Sequence, residues 1–143
     1  MIEEFEYYLD KQEVVRKTAD PAEANSLITK ASNRLKYIKT QEISEENADF
    51  IFEDIYECMR EAVQALMSNV GYKPYSHTVL VAFLKEFTEI PNQDAETFDR
   101  LRKLRNNAIY SAEAVSIAEC QDALEFLTEF LPKIKNELKK NTG

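Results

Sequence analysis

The sequence predicts an all-α protein, an up-and-down bundle of about five to six helices, and three observations carry that expectation. Two glycines and four prolines in 143 residues are too few to turn a strand-rich chain back on itself repeatedly. Hydrophobic residues make up 44% and charged residues 31%, the mixture that amphipathic helices require. Along most of the chain the apolar positions recur at i, i+3, i+4 and i+7, the period of a helix with one buried face. The length suits one domain over residues 1–143 with one substantial core.

Taken in order, Ile2, Phe5, Tyr8, Leu9 and Val15 space out a first amphipathic helix over about 2–18. Asp20-Pro21-Ala22-Glu23 opens a second: Asp as N-cap, Pro at the first helical position, Glu at the third. Its stripe is Ala24, Leu27, Ile28, Ala31, Leu35 and Ile38. Lys30, Arg34, Lys36 and Lys39 lie on its other sides. Ser44 is read as the cap of the longest helix, about 45–70, with Gly71 as its stop and Ala48, Ile51, Phe52, Ile55, Met59, Ala62, Leu66 and Val70 inward. At 1.5 Å per residue it is about 39 Å long, the central strut of the bundle. Ser76 can cap a helix over about 77–88 packing through Leu80, Phe83, Leu84 and Phe87. Ile90-Pro91-Asn92 turns the chain into the next helix, and residues 111–115 form a loop. Ser116 with Glu119 makes a capping box for a last helix to about Lys139, its inner stripe Cys120, Leu124, Leu127, Leu131, Ile134 and Leu138. Pro132 should bend it.

The net charge of −8 argues against phosphate binding by the whole surface, but the charge is unevenly placed. Residues 42–61 carry eight acids and one base, and residues 99–110 carry four bases and one acid. Either the two segments face each other or the second makes a local basic patch. No apolar run reaches the roughly 18–20 residues of a membrane span, and the N-terminus is acidic where a signal peptide is basic, so a cytoplasmic protein is expected. Cys58 and Cys120 fall on apolar faces, where unpaired cysteines behave as small hydrophobes. With one histidine and two separated cysteines, no metal-ligand cluster of familiar spacing exists. Glu53, Glu57 and Glu61, at i, i+4 spacing, read more readily as an arginine-paired or solvated face than as a metal face.

Residues 99–110, DRLRKLRNNAIY, are the stretch that asks for a function. At about 100° per residue, Arg105 points between Phe98, Leu101, Ala108 and Ile109, inside the stripe that meets another helix. A guanidinium there needs a partner, a wet cleft or a subunit boundary, because it cannot shed its proton to escape burial. Either the stripe lines a cleft in which Arg105 grips phosphate, or Arg105 pairs with an acid of the long helix, such as Glu57 or Glu61. Arg102, Asn106 and Tyr110, at i, i+4, i+8, set guanidinium, amide and phenol in a row beside it. His77, at the start of its helix, reads first as a local hydrogen-bonding residue and becomes a proton carrier only if a substrate reaches it.

Over about residues 22–138 the chain resembles the HEPN domain family, small helical bundles of toxin–antitoxin and other intracellular RNA-targeting systems, often found beside a minimal nucleotidyltransferase. The resemblance rests on IYECMREAVQALMSNVG followed by YKPYSHTVL, on LRKLRNNAIY, and on the capped final helix. It implies that Arg105 is the motif arginine, Asn106 its polar neighbour, and Tyr110 the residue at the family's histidine position. In family members that are ribonucleases, arginine and histidine act without metal or cofactor where two protomers meet. A phenol ionises near pH 10, so about 0.1% would be in the basic form at neutral pH, which weakens the endoribonuclease reading. The resemblance therefore implies a homodimeric module that binds a nucleotide or RNA phosphate through Arg102 and Arg105, with Arg105, Asn106 and Tyr110 as the candidate catalytic set if it cleaves. Alternatively it is an interaction partner of a nucleotidyltransferase. Some members carry a modifiable tyrosine two positions beyond the histidine, where this chain has Ala112.

Overall fold

The computed structural model describes residues 1–111 and 113–142. Among them are six helices, α1 (Phe5–Asp10), α2 (Pro21–Lys39), α3 (Ala48–Val70), α4 (Thr78–Phe87), α5 (Asn92–Tyr110) and α6 (Ile117–Thr142). Two three-residue strands, β1 (Val14–Arg16) and β2 (Tyr72–Pro74), complete the described elements. The all-α expectation holds, with α3 at the centre packed against α2, α4, α5 and α6. Most of α3 is buried, from Ile51, Phe52 and Tyr56 to Cys58, Met59 and Val63, because neighbours cover it on several sides, while Phe50, Glu53, Glu57, Arg60 and Gln64 leave one stripe partly open. α6, at 26 residues, is longer than α3 at 23.

Two caps form as their sequences dictate. The Asp20 carboxylate accepts from Glu23 N at 3.0 Å with Pro21 in the first turn. Ser116 and Glu119 close a reciprocal box, Glu119 N to Ser116 Oγ at 3.1 Å and Ser116 N to Glu119 Oε1 at 3.0 Å. Two others do not. Ser44 leaves α3 uncapped, because Asn47 captures the loop instead, accepting from Ser44 N at 2.8 Å and donating to Glu42 O at 2.8 Å. The helix begins only at Ala48. Ser76 does not cap α4 either; its hydroxyl is buried with no hydrogen-bond partner.

The first helix is the largest correction. It ends at Asp10, Gln12 takes the left-handed conformation (φ 61°), and Val14–Arg16 pair antiparallel with Tyr72–Pro74. The β-branched pair Val14-Val15 favours extended backbone, and Val14 is buried in the core. Gly71 makes the pairing possible. At φ 93° it ends α3 in the left-handed region, and a Cβ there would stand 2.7 Å from Lys17 O. Its carbonyl meanwhile accepts from Lys17 N at 2.9 Å. The outer edges of the inferred stripes are also trimmed: Val70, Phe87 and Ile109 are exposed by 40–45%, since each lies near a helix end, where neighbours give less cover.

Candidate functional site

α5 lies against α3, with Phe98 stacked on Tyr56, ring centroids 5.9 Å apart. Further along the same face, Arg105 reaches α3. Its Nε lies 3.4 Å from Glu53 Oε1, and its guanidinium carbon stands 5.3 Å from the centre of the Tyr56 ring. The acidic and basic segments thus face each other, but the acid is Glu53, one turn before Glu57 and two before Glu61. Glu57 belongs to Arg60, whose Nε donates to it at 2.9 Å, and Glu61 to Arg34 (2.9 Å) and Lys30 (3.5 Å). Each carboxylate of the Glu53, Glu57, Glu61 row therefore meets a cation. Among the described residues no group of three or more His, Cys, Asp or Glu could hold a metal ion.

Arg105 is under-partnered where it stands. Its Nε is buried, yet the approach to Glu53 makes no hydrogen bond. The other candidates divide. Arg102 is clamped within α5, its Nε and Nη2 lying 2.9 and 2.8 Å from Asp99 Oδ1. Asn106 is half-buried and Tyr110 is 85% exposed at the end of α5. Tyr110 is therefore set apart from the buried face that Arg105 occupies. Ala112 lies outside the described residues.

Sequence reasoning passed over Tyr56, which ties the site together. Its ring meets Arg105, and its hydroxyl lies 2.8 Å from His77 Nδ1, with the imidazole stacked 5.6 Å away. Burial raises the Tyr56 phenol far above its ordinary pKa of 10, against the opposing charges of Arg105, Arg102 and Arg60. The hydroxyl therefore keeps its proton, and His77 is the partner within reach of it. Either the phenol donates to Nδ1 and the imidazole proton sits on Nε2, or Nδ1–H donates to the phenol oxygen and Nε2 carries the lone pair. Burial first, then Arg105, Arg60 and Arg102, also hold the His77 pKa below 6.5, against Glu57. The chain's one histidine is thus neutral at pH 7. Burial pushes the Glu57 carboxyl up, but its Arg60 hydrogen bond and the charges of Arg60, Arg34 and Arg105 outweigh this and leave it below its ordinary value.

The arrangement is rich in donors and poor in bases. Arg105, Arg60 and His77 offer N–H groups around one phenol. Glu53, Glu57 and Asp99, the nearby carboxylates, are each paired with arginine. Such a site is suited to holding an anion, and these carboxylates are not free to act as bases.

Fold and site together make an all-α bundle in which α5 sets Arg105 against α3. Residues 24–137 match the family model of the HEPN domain, and the chain belongs to that family. Membership points in general terms to nucleotide- or RNA-related function. No curated protein and no solved structure matches the chain.

Proposed function

We propose that the chain is a nucleotide- or RNA-phosphate-binding module that works as a homodimer, with Arg105 as the phosphate grip. Arg102 flanks it, and Asn106 and Tyr110 extend the contact along α5. The observation that carries this reading is the guanidinium of Arg105, whose buried Nε has no hydrogen-bond partner although Glu53 stands 3.4 Å away. A phosphate oxygen would supply the missing acceptor, in the bidentate geometry that suits arginine. The homodimer is supported by the apolar surface beside that grip. Phe50, one turn before Glu53, is 71% exposed, and Ile109, one turn after Arg105, is 45% exposed. HEPN domains often dimerise, and a second copy would cover these side chains. Binding is favoured over cleavage because His77 Nδ1 is already engaged with the Tyr56 hydroxyl and Tyr110 is a phenol.

The test is anisotropy of labelled single-stranded RNA with the wild-type protein and Arg105→Ala, in EDTA, with RNA integrity read on a gel alongside. We expect intact RNA and binding weakened by at least about tenfold in the variant, the loss of a charge-assisted contact. Equal binding by both proteins would remove Arg105 from the site. RNA cleavage by the wild type that is lost in Arg105→Ala would make the protein a metal-independent ribonuclease instead. Sedimentation at the assay concentration should show a dimer, and a monomer that still binds would remove that half of the reading.

A further inference from the structure

Past Tyr56, a cleft of about 250 Å³ opens between α3, the end of β2 and the start of α4, lined in part by Arg60, Gln64, Tyr75, Ser76 and His77. At about 30 Å³ per water it has room for roughly eight waters, enough for a phosphate and part of what it is esterified to. Its polar groups are donors. His77 presents Nε2–H in the tautomer whose Nδ1 accepts from Tyr56. Gln64 uses its carbonyl oxygen to accept from Arg60 Nη1 at 2.5 Å, which leaves its amide N–H groups for the cleft. Glu57 holds Arg60 from behind. The hydroxyl of Ser76 is buried without a partner, although Ser76 itself is only half-buried, so one rotation about χ1 can turn it outward. No side chain caps the first turn of α4, whose positive end therefore also opens here. No carboxylate is among the cleft's lining residues. This separates it from the Arg105 grip, where Glu53 competes.

We propose that this cleft binds a phosphate monoester, the terminal phosphate of a nucleotide, with Ser76, His77, Arg60 and the α4 amides on its oxygens. Tyr75, 62% exposed with Lys73 Nζ 5.3 Å from its ring centre, offers an aromatic face beside it on which a base can stack. The ligand class rests on the nucleotide-binding reading above, but the residues are a separate set from Arg105. An acceptor-rich oxyanion fits because no carboxylate lines the cleft and the Ser76 hydroxyl is buried without a partner, a cost that a ligand would relieve.

The experiment follows the ring signals of His77, the single histidine, by NMR during titration with 5′-AMP, adenosine and inorganic phosphate at millimolar concentration and constant ionic strength. It compares the wild type with Ser76→Ala and Ser76→Asp. We expect saturable shifts with 5′-AMP and phosphate and none with adenosine. Ser76→Ala should weaken 5′-AMP binding about three- to tenfold without lowering Tm, because the hydroxyl it removes bonds nothing in the protein. Ser76→Asp should abolish binding while keeping Tm at least as high, since a carboxylate at the positive end of α4 stabilises the helix and repels the ligand. No shift with any phosphate compound, or unchanged 5′-AMP binding by Ser76→Asp, would overturn the cleft. Binding that persists in Ser76→Asp but is lost in Arg105→Ala would place the phosphate at Arg105, keeping the reading above and discarding this one. If neither 5′-AMP nor RNA binds the wild type, both fall.

Discussion

At the residue scale, the Tyr56–His77 hydrogen bond decides what the site can do. Burial, then the charges of Arg105, Arg60 and Arg102, favour neutral imidazole against Glu57. The His77 ring resonance should therefore titrate with a midpoint below 6.5, and Tyr56→Phe should move it upward if the phenol is the donor; a wild-type midpoint above 6.5 would contradict the burial of the ring among three arginines. Because the folded-state pKa lies below the unfolded one, the unfolded chain binds more protons in that window. His77's contribution to stability is thus complete above pH 6.5 and declines as pH falls below it. Tm measured from pH 7 downward should fall less steeply in His77→Gln than in the wild type. Arg105 was legible as an odd cation in an apolar stripe because helical phase alone places it there. Its partner was not legible: choosing Glu53 over Glu57 depends on how far α5 slides along α3, which neither helix encodes by itself. Tyr56 fell outside the inward stripe read for the long helix, and only the hydroxyl's position marks it out.

At the element scale, Gly71 meets two demands. It must hold φ near 93° and admit Lys17 O at a distance that no Cβ tolerates. Gly71→Ala should cost on the order of 2 kcal/mol, seen as a Tm roughly 6 °C lower. Ser116→Ala, which removes one half of a formed capping box, should cost about 1 kcal/mol. Equal losses for the two would mean that the close approach at Gly71 relaxes freely. The helices were readable because long periodic runs and the caps at Asp20 and Ser116 act locally. The strand at Val14–Arg16 was hidden, since three residues carry no period and their partner lies far along the chain. Ser76 misled for a different reason: a serine before a helix is a good cap by composition, yet here its hydroxyl bonds none of the α4 amides.

At the scale of the whole molecule, α3 is wrapped by its neighbours, and both cysteines record that enclosure. Cys58 is fully buried, donates to Ala31 O at 3.1 Å and has its thiol pushed up by burial to about 12. Burial also raises Cys120, to about 11. Neither should react with a thiol reagent at pH 8 while the bundle is folded, and both should react on unfolding in denaturant. Rapid labelling of one thiol under native conditions would reveal a local opening of α3 or α6. No described helix is long and apolar enough to cross a membrane.

The small antiparallel clip of β1 and β2 also bears on the order of assembly. It joins segments about sixty residues apart along the chain, a separation whose closure entropy is met only after intervening structure is in place. Tyr75 N is tied to Glu13 O at 2.7 Å, immediately before Ser76 and His77. The matched family segment begins at residue 24, so a brace from outside it fastens the backbone that leads into α4. The wall of the Ser76–His77 cleft would then be completed late in folding, by the earliest part of the sequence.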